Sequence, residues 1–273
     1  MSPGQRSEHA AHQRALRASR DFAGRHLTEQ AYPPYPVGDG RTLTFQSSAG
    51  GSLRGVETMA RLDGEELMSA FRAVVTGLVT DWSPDGCWAA AGDNGDVLLW
   101  ETAEWRRAGV VPVGAGVNDL AFAPGGSQLT AATTSMELRV VRLDPAGRPT
   151  GTVDERNGHA GSVGAVSWSP DGRHLATAGY DGRVLLWNPV AGRPCRVLPG
   201  DGTAVWSVTM SRDGSRLIAV TMGGSAFLWD TGTGTEVCRL RVDDRLPSCS
   251  FHLHDDRVVL GGSAGLYLCA VPR

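Results

Sequence analysis

Lysine is absent from this chain: all 26 of its basic residues are arginine. That excludes a Schiff-base lysine, a Walker-type phosphate-binding lysine and a lysine general base, and with them several classes of enzyme. Cysteine is scarce. The five, Cys87, Cys195, Cys238, Cys249 and Cys269, are odd in number and form no CxxC pair. This argues against both a zinc knuckle and a disulfide framework, and small core side chains in a reducing compartment are expected. An excess of charge of one sign is also missing. A net charge of −3 gives no field that would draw the phosphate backbone of a nucleic acid, so no nucleic-acid partner is expected. No apolar run approaches the roughly 20 residues of a membrane span, and the N-terminus lacks the apolar core of a signal peptide. The expectation is therefore a cytoplasmic protein with no membrane contact. Disorder is excluded by the 41% of hydrophobic residues, which in 273 residues suffice for a packed core.

A phrase recurs along the chain: SPDG at Ser83 to Gly86, APGG at Ala123 to Gly126, SPDG at Ser169 to Gly172 and SRDG at Ser211 to Gly214, in steps of 40, 46 and 42 residues. After each comes an apolar strand with a common ending: VLLWE at Trp100, LRVVR around Val141, VLLWN at Trp187 and AFLWD at Trp229. Weaker copies lie upstream at Gly38 to Glu57 and downstream at Cys249 to Ala270. Within one copy VGAVSW, HLATAG, RVLLWN and CRVL are too short and too β-rich for helices. They are separated by turn sequences in which Gly supplies positive φ and Asp bonds nearby backbone. The unit is a four-stranded antiparallel meander. Such a sheet cannot bury both faces alone, and a period of about 40 to 45 residues with four strands describes the blade of a propeller.

At this point a family resemblance emerges. Gly158-His159 followed by AVSWSPDGRHLATAGYDGRVLLWN strongly resembles a WD40 repeat, with Gly-His ahead of the unit and Trp187-Asn188 at the place of Trp-Asp. The likeness extends over roughly residues 37 to 271. It implies an all-β, β-propeller fold of four-stranded antiparallel blades, about six in number with seven as the alternative. The blades fall at approximately 33–73, 75–112, 115–154, 158–200, 203–242 and 245–271, within a domain of residues 25–273. The last blade lacks its outer strand, and in proteins resembling this one an N-terminal segment supplies it; residues 25–37 are the candidates, despite three prolines. Residues 1–24 form an Ala/Arg-rich extension, helical or disordered. Arginine without lysine and abundant Gly and Ala are expected of a GC-rich, actinomycete-like bacterium. The resemblance also implies a structural hydrogen-bond tetrad, which maps onto His159, Thr177, Asp181 and Trp187, and only this blade holds all four.

Several motifs invite chemistry. A hydroxyl, an imidazole and a carboxylate in one chain look like a catalytic triad, but the repeat puts Thr177 inside a strand. Gly261 to Gly265 matches G-x-S-x-G, whose nucleophile elbow needs a strand-to-helix turn; here the context is strand to strand, as at Gly223-Gly224-Ser225-Ala226. His252, His254, Asp255 and Asp256 resemble a metal cluster but occupy the place of the SPDG turn. Cys195 and Cys238 stand in equivalent outer strands, which diverge, so no bond is expected. No catalytic residue, metal ligand or cofactor is expected, and the chain is read as not an enzyme.

The loops at one mouth of the ring carry the functional expectation. Aligned first strands put Leu78, Asn118, Gly164, Trp206 and Pro247 in one repeated place, where Trp206 is an outlier of the type that anchors interfaces. Tyr180 is expected close by. Trp206, Tyr180, Asn118, Asp93 and Asn94 are the candidate partner-binding residues of a monomeric scaffold for a protein or peptide. Two alternatives are a detached regulatory or sensor module of a kinase, ATPase or protease system, and a propeller enzyme or small-ligand binder using the central channel.

Overall fold

A computed structural model of the chain describes residues 30–31, 35–36, 42–49, 56–62, 65–66, 73–75, 79–92, 94–103, 106–243, 245–251, 257–262 and 265–271, those before Val79 by backbone alone. All regular structure among them is β-strand, so the fold is all-β, as the repeat predicts. Val163–Trp168, Leu175–Gly179, Arg183–Asn188 and Arg193–Pro199 form one four-stranded antiparallel sheet, and Val205–Met210 to Glu236–Arg241 form the next in the same order. A third group holds seven strands, because one strand, Arg106–Phe122, serves two blades. Its first part pairs with Asn94–Glu101 and its second with Gln128–Thr133, and Gly114 at φ 75° lies where it passes from one to the other. The last sheet has three strands among the described residues, Ser248–Phe251, Arg257–Gly262 and Gly265–Ala270.

The first sheet contains Thr42–Ala49, Val56–Leu62, Glu65–Glu66 and Ala73–Val75. Gln30–Ala31 and Tyr35–Pro36 pair with Thr42–Ala49, so the N-terminal segment is hydrogen-bonded to the first sheet. Such two-residue pairings suit a segment in which Pro33, Pro34 and Pro36 have no N–H to give a ladder. A closing strand on the last sheet does not figure among the described residues. Residues 1–24 and the His252 to Asp256 cluster lie outside them.

The SPDG turns have one geometry. The Ser83, Ser169 and Ser211 hydroxyls donate to Asp85, Asp171 and Asp213 at 2.5–2.6 Å and accept the N–H of Trp88, His174 and Arg216 at 2.9 Å. The closing glycines, Gly86, Gly172 and Gly214, lie at φ 71–74°, which a β-carbon would strain.

Side chains alternate across each strand, and here both faces are covered. In Arg183–Asn188, Val184 and Leu186 pack against the following sheet, while Leu185 and Trp187 pack against the preceding one. This is why the strand reads as an unbroken apolar run rather than as an alternating one. Trp100, Trp187 and Trp229 are all at most 1% exposed.

The innermost strand of each blade has a second need. Among the described residues its inner edge pairs with no further strand, so its backbone groups require other partners. Side chains of the preceding innermost strand supply some: Asp81 Oδ2 accepts from Phe122 N at 2.7 Å, Asp119 Oδ2 from Val166 N at 2.9 Å and Ser167 Oγ from Met210 N at 3.2 Å. Asn118 Nδ2 donates to Val163 O at 2.8 Å. Adjacent blades are thus joined by apolar packing over the face and by hydrogen bonds at the inner edge. Replacing Asp119 by Ala is expected to strip the acceptor from Val166 N and lower the unfolding free energy by about 1–3 kcal/mol, measured by urea denaturation.

Candidate functional site

The four tetrad positions come together ahead of and within one blade. Gly158 and His159 precede Val163–Trp168, Thr177 lies in Leu175–Gly179, Asp181 in the following hairpin and Trp187 in Arg183–Asn188. Trp187 Nε1 donates to Thr177 Oγ1 at 2.9 Å, and Thr177 Oγ1 lies 2.7 Å from His159 Nε2. His159 Nδ1 stands 3.1 Å from Asp181 Oδ1 and 3.2 Å from Oδ2. The carboxylate can only accept, so the ring proton belongs on Nδ1, and Nε2 then accepts the Thr177 hydroxyl proton. Ala160 N and Arg183 N also donate to Asp181, at 2.9 and 3.2 Å.

The donors and acceptors of the tetrad are matched to one another, and burial fixes the protonation states. Burial pushes the His159 pKa below its ordinary value despite the opposing Asp181 carboxylate, with Arg183 adding to the fall. Burial alone would raise the Asp181 pKa, but the Ala160 N–H, the imidazole and the Arg183 N–H outweigh it and hold it low. A neutral imidazole therefore faces a carboxylate. Two glycines make room: a Cβ on Gly158 would lie 2.8 Å from Trp187 Cη2, and one on Gly179 would lie 2.2 Å from His159 Nδ1.

This geometry does not serve hydrolysis. Thr177 is fully buried, and its oxygen is held between indole and imidazole, leaving no nucleophile that a substrate could reach. Ser225, in the Gly223 to Ala226 motif, begins a strand after the Gly224 turn and is 2% exposed. Gly261, Gly262 and Gly265 likewise lie on two paired strands, with Ser263 outside the described residues. Among the described residues no group of three or more His, Cys, Asp or Glu could hold a metal ion, and Cys195 and Cys238 are free thiols.

The WD domain, G-beta repeat family matches residues 66–101, 147–188 and 192–230. These three segments are similar to WD40 repeats. The second WD40 segment holds the whole tetrad. Among similar proteins, Protein Atg16l2 of Mus musculus is 36% identical over 86 residues, 31% of this chain and 14% of that protein. The B-type cell cycle switch protein ccs52B of Medicago truncatula is 25% identical over 182 residues, 58% and 35% of the two chains. The serine-threonine kinase receptor-associated protein of Dictyostelium discoideum is 29% identical over 110 residues, 39% and 38%. The chain spans from 14% to 38% of the length of these relatives.

The third WD40 segment satisfies its polar groups differently, in a way the sequence reading missed. Asp201 stands where the tetrad blade has His159, and Thr221 where it has Gly179. Asp201 accepts from Thr203 N at 3.0 Å, Thr203 Oγ1 at 2.6 Å and Thr221 Oγ1 at 2.8 Å. Burial opposes ionisation, but these bonds and one from Ser225 bring its pKa down to about 2. The available signal was GDGTAV aligned beneath GHAGSV.

The aligned positions Asn118, Gly164 and Trp206 share a local geometry. Each is the extra residue of a bulge in the innermost strand, where the register shifts between Val117 and Asp119, Val163 and Ala165, and Val205 and Ser207. Tyr180 is 52% exposed, and its ring lies over Gly164: a Cβ there would be 2.7 Å from Tyr180 Cε1 and 3.2 Å from Val205 O. Tyr180 thus sits beside the backbone that leads into Trp206, which is half-buried. Asn118 differs, since its amide is engaged with Val163 O between blades. Asp93 lies outside the described residues, and of Asn94 only the backbone, in Asn94–Glu101, is described.

Two outcomes test the tetrad. Gly179→Ala should disrupt the His159 to Asp181 contact and cost about 2–4 kcal/mol in thermal or urea unfolding, more than Gly172→Ala at an open turn. Because His159 is held neutral, the unfolded chain binds the extra proton below about pH 6.5, so stability falls as pH drops from 7 to 5. His159→Gln should be less stable at pH 7 and show a shallower slope of unfolding free energy over that interval.

Proposed function

We propose that this chain is a non-enzymatic interaction platform, which receives a protein or peptide on the face formed by the loops before the innermost strands and the hairpins between second and third strands. The observation that carries this reading is the pair Tyr180 and Trp206: an exposed aromatic ring set on a glycine bulge, beside a tryptophan at the equivalent bulge of the next blade. Aromatic side chains held rigid before binding lose little freedom on contact, which is why they dominate interface energies. The buried tetrad and the Asp201 cluster supply that rigidity and take no part in contact. The Dictyostelium relative is, by its name, associated with a receptor kinase, which accords with a docking role. In this reading the blades close as a six-bladed ring, with the first sheet between the last and the second, and the protein works as a cytoplasmic monomer.

The test is affinity capture from lysate of the native cell, comparing wild type with Trp206→Ala/Tyr180→Ala after circular dichroism shows both folded. A partner retained by the wild type and lost by the variant is expected. Identical partners for both would sink this face as the docking surface.

A further inference from the structure

The three hairpins that follow the second strands of successive blades each present one large apolar side chain. Met136, Tyr180 and Met222 are 52%, 52% and 50% exposed. Each hairpin is tied down by a backbone bond to the residue before the neighbouring innermost strand or its bulge: Thr134 N to Gly116 O, Tyr180 N to Ser162 O and Met222 N to Ala204 O, all 2.8 Å. These side chains stand on a fixed frame and leave apolar surface in water on three successive hairpins.

Charge on the same loops is unevenly available. Asp181 has both oxygens taken, by His159, Ala160 N and Arg183 N. Asp201 is closed by Thr203 and Thr221. Glu137 lies 3.7 Å from Arg139. Asp181 and Asp201 therefore have no oxygen left open to a cationic partner. Arg183 is the exception. It is exposed, its backbone N–H is anchored to Asp181 in the Tyr180 hairpin, and it forms no ion pair among the described residues. The Tyr180 hairpin therefore offers an apolar side chain and one planar cation that makes no ion pair among the described residues.

We infer that the face bearing Tyr180 and Trp206 takes a linear peptide in which apolar side chains flank a single Asp or Glu, whose carboxylate pairs with Arg183. The inference rests on the docking surface proposed above and adds the chemistry of its ligand. A guanidinium meets a carboxylate through two parallel hydrogen bonds. Phosphate recognition draws on clustered arginines, and these hairpins hold one. Cationic ligands, RNA-like polyanions and purely apolar segments fit the arrangement less well.

The test uses the full chain and random linear dodecapeptides displayed on phage, selected against wild type, Arg183→Gln, Arg183→Glu and Tyr180→Ala/Trp206→Ala. Wild type should enrich peptides with one acidic residue between apolar ones. For the best synthetic peptide, fluorescence anisotropy should show about tenfold weaker binding when its acid is changed to the amide, and Arg183→Gln should not distinguish the two forms. Arg183→Lys should retain part of the preference, and Arg183→Glu should shift selection toward basic peptides. Peptides that need Tyr180 and Trp206 but ignore the charge at 183 would overturn the inference and leave the docking reading standing. Enriched peptides whose binding survives Tyr180→Ala/Trp206→Ala would overturn both, and a wild type that enriches no peptide, or basic ones, would overturn the inference.

Discussion

Each four-stranded sheet in this protein is apolar on both faces, and no such sheet can cover itself. Leu185 and Trp187 look one way and Val184 and Leu186 the other, so the blade exists only between two neighbours. From this constraint follow the repeat period, the face-to-face stacking and the unbroken apolar runs. It also leaves an inner strand with one unpaired edge. The side chains of Asp81, Asp119 and Ser167 answer that need by reaching the next blade's backbone, so the seams are fixed in height as well as in packing.

Polar chemistry in the interior is local to the loop ends and is closed on itself. The tetrad arranges indole, hydroxyl, imidazole and carboxylate so that each donor has one acceptor, which converts a burial cost into a defined loop geometry. The next blade reaches the same end with a carboxylate and hydroxyls around Asp201. Because two different residue sets fill one role, the role is structural: holding the loop before the innermost strand against the following hairpin. Tyr180 and Met222 are borne on the hairpins so held.

The features legible in the sequence are those set by short-range physics. The serine and aspartate of SPDG close their own turn within five residues, and the short, β-rich apolar runs between turns place strands irrespective of the ring they build. The tetrad was legible because a family resemblance supplied the distant pairing of His159 with Thr177. What could not be read depends on contacts across a seam. Asn118 looked like a surface residue because nothing in its neighbourhood shows that Val163 O stands 2.8 Å from its amide. Asp201 was passed over because its partners lie up to 24 residues on, in Thr221 and Ser225. The bulges at Gly164 and Trp206 leave no mark beyond one residue of offset in the alignment.

The strand Arg106–Phe122 gives two blades a single backbone, without a loop like those at 158–162 and 200–204. Elsewhere, as at 158–162 and 200–204, consecutive blades meet through a connection that could be cut, lengthened or used as a new terminus. Between the second and third blades that joint shrinks to residues 113–115 around Gly114, which leaves little room for an insertion or a new terminus. In a shuffling of repeats by duplication or recombination, this junction is a poor place for a break.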